Sequence, residues 1–273
     1  MGLAHVQDAP EGILCGPRAT AGVGALHVGT SGYSYQHWKE IFYPKGLGQA
    51  RWLEYYAQHF NALEINATFY RSFARSVYEK WHDRTPPGFA FVLKGPKTVT
   101  RTKRLVDVDA ELDAFFEAAA GLKDKLSAVL WQLPPSFKND EKSFETMRAF
   151  LNRLPSSIRQ AVELRHRSWC TEEFVDLLNT HRVGWVSADS SRFVSFECNV
   201  GGFAYYRFHG PRQLYASSYS AEDLTEWARR IRDALSGGDA YCFFNNDFHG
   251  YALRDADALR EILRGSGGDE VMG

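Results

Sequence analysis

"QAVELRHRSW", residues 160–169, is the stretch on which the fold turns. Ala161, Val162 and Leu164 form an apolar run of strand length, and Glu163 and Arg165 interrupt it at alternate positions. Side chains in a strand alternate between its two faces, so the acid and the base point the same way. Seven further apolar runs, each also of strand length, lie at 25–29, 62–66, 89–94, 126–132, 183–188, 203–209 and 240–246. Between them lie stretches with helical spacing, such as Leu53, Tyr56, Ala57 and Phe60, or Leu224, Trp227, Ile231 and Leu235. Thr171 and Ser220 stand where helix caps belong. Only "SSRFVSFECNVGG", residues 190–202, lacks a helical pattern between two runs and reads as an irregular loop or hairpin.

Eight strand signals alternating with helix signals over about 240 residues predict an α/β fold, a (β/α)8 TIM barrel. An open doubly wound sheet is the second choice, because periodicity does not report closure. The expected organisation is a flexible extension over residues 1–24, one barrel domain over 25–264 and a disordered tail over 265–273.

The chain has 273 residues, 44% of them hydrophobic, with 32 Lys and Arg against 33 Asp and Glu. That balance excludes a globally basic nucleic-acid binder, so an anionic partner has to be met by a local site. Cys15, Cys170, Cys198 and Cys242 show no CxxC spacing and read as reduced thiols of a cytoplasmic protein. No apolar run approaches the roughly 20 residues of a membrane span.

In a barrel, inward-facing positions near the C-terminal ends of the strands form the mouth. There the alternation places Glu64, Asn66, Lys94, Gln132, Glu163, Arg165, Arg207, His209 and one of Asn245 and Asn246, with Asp189 adjacent. Withdrawing each ion from water costs several kcal/mol, against a whole-domain stability of about 5–15 kcal/mol. Such a set is expected to work rather than merely fill space, with a buried ion-pair network such as Glu163 with Arg207 as the alternative.

Lys94, Arg165 and Arg207 make a cationic wall suited to phosphate or carboxylate. The acid-free run "KGPKTVTRTKRL", residues 94–105, is expected on the same rim. Glu64 and Glu163 are candidate acid, base or metal ligand, and His209 a candidate proton carrier. With Asp189, Asp247 or His249 they offer oxygen and nitrogen ligands for a divalent metal, although no HExxH motif is present. Tyr33, Tyr35, Trp38, Phe69, Tyr70 and Trp169 supply flat rings for stacking on a base or a sugar.

Taken in order, "VGTSGYSYQHWKEIFYP", "LEINATFYRSF", "FVLKGPKTVTRTKRL", "LWQLPPSF", "ELRHRSW", "YYRFHG" and "FFNNDFHGYA" resemble the DUF72, or YecE-like, family across residues 27–263. The resemblance implies a TIM barrel and a bacterial or archaeal cytoplasmic protein. It also implies an analogy of fold and site shape with barrel endonucleases that act at damaged DNA. Its motifs fall on Asn66, Tyr70, Gln132, Trp169 and Asn245 as well as on the charged set. Arg101 stands where the family pattern has a histidine, which leans the site toward anions.

The leading functional expectation is hydrolysis of a phosphate-bearing substrate, a nucleotide or nucleic acid. Lys94, Arg165 and Arg207 would hold the anion, with Asn66, Tyr70, Gln132, Trp169 and Asn245 as further substrate contacts. Glu64, Glu163 and His209 would carry the chemistry. The alternatives are a carbohydrate-active enzyme that uses the two glutamates, and a non-catalytic binder of an anion or nucleic acid.

Overall fold

Hydrogen bonding settles the closure that periodicity leaves open. In the computed structural model, which describes residues 6–8, 23–192 and 195–265, eight strands pair in parallel and the last returns to the first. They are β1 (Leu26–Ser31), β2 (Ala62–Ile65), β3 (Ala90–Lys94), β4 (Leu126–Gln132), β5 (Arg159–Glu163), β6 (Val183–Asp189), β7 (Ala204–Phe208) and β8 (Ala240–Phe244). The expected (β/α)8 barrel is therefore observed. Among the described residues, seven helices of eight residues or more cover it: α1 (Trp52–His59), α2 (Arg75–Asp83), α3 (Asp109–Ala119), α4 (Glu141–Arg153), α5 (Glu172–His181), α6 (Ala221–Leu235) and α7 (Tyr251–Gly265). The expected caps are in place. Thr171 Oγ1 accepts from Phe174 N at 3.3 Å, and Ser220 with Asp223 closes a capping box on α6.

Between β6 and β7 a strand replaces the missing helix. Ser195–Glu197 lies against β6 and pairs in parallel with Val6–Asp8. The indole of Trp185 donates to Phe196 O at 3.0 Å, tying this strand to β6. Part of the expected N-terminal extension is thus docked on the barrel wall. The rest of residues 1–24, apart from Val23 and Gly24, and the tail beyond Gly265 lie outside the described residues. The reading of four thiols needs correction, because Cys198 is disulfide-bonded whereas Cys170 and Cys242 are free. Among the described residues, no helix is long and apolar enough to cross a membrane.

Two buried clusters follow from the alternation. One fills the space between strands and helices. The other fills the lumen with Ala62, Ala90, Val92, Ala128, Leu130, Ala161, Val186, Ala188, Phe203, Tyr205, Tyr241 and Phe243. The rings of Phe203, Tyr205, Tyr241 and Phe243 pack with centroids 5.6–6.0 Å apart and close the lumen from below. One step of two residues beyond this layer, the same faces carry Glu64, Lys94, Gln132, Glu163, Arg207 and Asn245. The apolar layer is the floor on which the polar layer stands.

β1 and β2 are also joined through a side chain. Tyr56 on α1 places its hydroxyl between them, accepting from Thr30 N at 2.8 Å and donating to Ala62 O at 3.0 Å. Gly29 leaves room for this arrangement, since a Cβ there would run into the Ala62 carbonyl oxygen and the Tyr56 hydroxyl. Gly29→Ala is expected to cost at least about 3 kcal/mol, a fall in Tm of roughly 6–12 °C for a domain of this size. Thermal unfolding followed by circular dichroism measures it, and an unchanged Tm would refute the account of this junction.

Candidate functional site

Arg207, on β7, lies between two glutamates. Its Nη2 and Nε donate to Glu64 Oε1 and Oε2 at 2.7 and 3.0 Å, and its Nη1 donates to Glu163 Oε2 at 2.5 Å. All three side chains are essentially without exposure. Ser31 Oγ and Tyr205 Oη complete Glu64 at 2.6 and 2.7 Å. Gln132 Nε2 donates to both oxygens of Glu163 at 2.9 Å, and Arg165 Nε reaches Oε1 at 2.6 Å. Each carboxylate oxygen therefore accepts two hydrogen bonds, which fills the roughly four acceptor positions of a carboxylate. Burial pushes the Glu163 carboxyl up, but Arg165 and Arg207 outweigh it and hold the group well below the usual carboxylate range.

Above this network is a cavity of about 490 Å³ at the barrel mouth. Lys94, Gln132, Arg165, Arg207, Asn66 and Asn245, all at positions that the alternation turns inward, line it together with Tyr70. Glu64, Glu163 and His209 do not line it; they lie fully buried beneath its wall. Trp169 is not at the mouth either. The 3-10 turn Arg167–Trp169 carries its side chain into the helix layer, where it stacks on Phe137 at 5.3 Å and donates to Phe137 O at 2.8 Å. A role for Trp169 in direct substrate contact is thereby corrected to one in packing.

Lys94 differs from the other buried cations. Its ammonium lies 4.3 Å from the centroid of the Phe69 ring, and among the described residues no carboxylate or other acceptor pairs with it. Burial, reinforced by the charge of Arg207, lowers the amine to about 7. Thr68 holds the end of β3 in place by donating to Lys94 O at 2.7 Å. Arg101 lies over the same Phe69 ring at 5.4 Å and also lines the cavity. The rest of the basic run contributes less than expected: Lys103 pairs with Glu111 at 2.8 Å, and Arg104 donates to Ser136 O at 3.0 Å.

Of the two asparagines after β8, Asn245 is the one at the mouth, with Nδ2 3.1 Å from His209 Nδ1. Asn246 turns away toward Asp255 at 2.6 Å. Burial, reinforced by Arg207, lowers His209 well below its usual range, so it is neutral, with Nδ1 as the acceptor. Among the described residues, Asn66 Oδ1 is buried without a hydrogen-bond partner, an acceptor of the kind that a ligand or water usually satisfies.

The sequence reading missed His37, Tyr215 and Phe248, which line the cavity from loops without periodicity. It named Asp247 only as a metal ligand. Asp247 also faces the cavity, accepting from Trp38 Nε1 at 2.6 Å and lying 2.8 Å from His37 Nε2, and burial raises it to about 6. Among the described residues, no group of three or more His, Cys, Asp or Glu side chains is placed to hold a metal. Since Glu64 and Glu163 have their acceptor positions filled, the donor set does not fit the divalent ion considered from sequence.

A family model described as "Protein of unknown function DUF72" matches residues 27–270. UPF0759 protein YunF of Bacillus subtilis is 24% identical over 270 residues, covering 87% of this chain and 94% of that protein. UPF0759 protein YecE of Escherichia coli is 28% identical over 141 residues, covering 52% of this chain and 48% of that protein. A DUF72 family protein of Thermotoga maritima superposes with a TM-score of 0.78 at 28% identity, over 88% of this chain and 99% of the other. One from Enterococcus faecalis superposes with a TM-score of 0.78 at 19% identity, over 91% and 98%.

The two buried cations respond oppositely to removal. Arg207→Met strands two carboxylates and is expected to cost about 3–5 kcal/mol. Lys94→Met is expected to stabilise the protein at pH 6. Between about pH 7 and 10.5 the unfolded chain keeps a proton on Lys94 that the folded chain has released, so stability rises with pH across that window and the burial cost is fullest below it. Lys94→Met should abolish that rise. Urea unfolding of both variants at pH 6 and pH 9 measures these effects, and a destabilised Lys94→Met at pH 6 would contradict the assignment.

Proposed function

The chain belongs to the DUF72 family, and from that premise we propose that the barrel mouth takes a phosphate-bearing substrate, a nucleotide or nucleic acid, and hydrolyses its phosphate ester. One observation carries this reading: Lys94 faces the cavity as a desolvated cation with no acidic partner among the described residues, whereas Glu64 and Glu163 are both occupied by Arg207. A buried cation without a counter-ion costs free energy until an anion arrives. Arg165 and Arg101 line the same cavity and add charge, and the exposed Tyr70, Tyr215 and Phe248 offer stacking faces around it.

Proton transfer falls to Lys94 as well. An amine titrating at about 7 is matched to neutral pH. In the proposed step water attacks phosphorus and the ester P–O bond breaks. The Lys94 ammonium protonates the departing oxygen and becomes the amine, and the proton shed by the attacking water restores the ammonium. Glu64, Glu163 and Arg207 would hold the frame, and His209, neutral beneath the wall, would position Asn245. The carbohydrate reading needs a glutamic acid free to protonate a glycosidic oxygen, a requirement that the shared Arg207 opposes for both glutamates.

Calorimetric titration with adenosine 5′-monophosphate, followed by a phosphatase and phosphodiesterase screen on the same sample, tests the proposal. Binding is expected to weaken as pH rises above 7 and to fall at least about tenfold in Lys94→Met. Binding without turnover would reduce the protein to an anion sensor. A neutral sugar bound with an affinity indifferent to Lys94→Met would overturn the reading.

A further inference from the structure

Tyr215 is shared by two cavities. One is the mouth; the other, of about 430 Å³, is lined by Ser191, Arg192, Arg212, Gln213, Leu214 and Tyr215. The second lining holds two arginines and no acid. Both arginines are exposed, and neither guanidinium has an ion pair among the described residues. Their backbones, in contrast, are held. Arg192 N donates to Ser190 Oγ at 3.2 Å. Ser217 Oγ accepts from Arg212 N at 3.1 Å and Gln213 N at 3.0 Å and donates to Gln213 O at 3.1 Å.

The residue between the cavities is strained. Tyr215 has a φ of 64°, a region that aromatic side chains seldom occupy. It is fixed there by its N–H donating to His209 O at 2.6 Å and its carbonyl accepting from Phe248 N at 3.0 Å. Strain held from both sides in a loop at a cleft is characteristic of a functional position. The ring packs edge-on to His209 with centroids 5.5 Å apart. It thus stands as a partition between Lys94 and Arg101 on one side and Arg192 and Arg212 on the other.

We propose that Arg192 and Arg212 form a second phosphate subsite, so that the ligand carries two phosphoryl groups on either side of a planar ring stacked on Tyr215. This rests on the phosphate reading of the mouth and narrows its substrate class. Guanidinium pairs bind phosphate in a bidentate fork, and a tyrosine ring accepts any base. A nucleoside bisphosphate and an internal nucleotide of a single strand share this chemistry.

The test titrates the protein with adenosine 5′-monophosphate, adenosine 3′,5′-bisphosphate and a short single-stranded oligodeoxyadenylate. The wild type is expected to prefer the bisphosphate or the strand over the monophosphate by about tenfold or more. In the double variant Arg192→Ala/Arg212→Ala that ratio should fall to about one, while Arg148→Ala, on a residue that lines neither cavity, keeps it. Preference for the strand with a steep salt dependence identifies a polymer; preference for the bisphosphate identifies a small ligand. Tyr215→Leu should weaken all three ligands, because it removes the shared stacking face. A ratio unchanged in the double variant, or already near one in the wild type, overturns the subsite and leaves the mouth standing. A protein that binds none of the three loses both readings.

Discussion

One guanidinium held between two carboxylates governs the top of this barrel. Arg207 reaches Glu64 on one side and Glu163 on the other, and the three come from strands that close the barrel across its lumen. Such a cluster is costly to desolvate and does not earn its place through stability alone. Its effect is geometric. With both carboxylates occupied, Gln132, Arg165, Ser31 and Tyr205 are fixed around them, and the cavity above receives a wall of constant shape and charge. Among the described residues, Lys94 is left as a buried cation without a protein counter-ion, which turns a packing arrangement into an electrostatic preference.

The strands were legible in the sequence because strand alternation is local. Each of Glu64, Lys94, Gln132, Glu163 and Arg207 lies two residues beyond an apolar lumen residue, and a parity rule finds them without long-range information. The same rule loses force where a strand ends. Trp169 lies in the 3-10 turn beyond β5, and its ring goes to the helix layer. His37, Tyr215 and Phe248 come from loops with no period to read.

Pairing was less accessible than placement. Glu64 and Arg207 are 143 positions apart, and although a Glu163–Arg207 pair could be entertained from parity, nothing in the order of residues tells that one guanidinium holds both acids. That choice decides roles, because a glutamate with all its acceptor positions filled is a poor proton carrier and a poor metal ligand. The irregular 190–202 segment was recognisable as lacking a helix, but its pairing with Val6–Asp8 is another long-range choice that local pattern does not contain.

The floor of aromatic rings beneath the polar layer has a kinetic meaning. Because Phe203, Tyr205, Tyr241 and Phe243 close the lumen from below, the barrel is a blind well rather than a conduit. Whatever enters leaves by the same opening, so arrival and departure compete for one passage, and a slowly departing occupant blocks its successor.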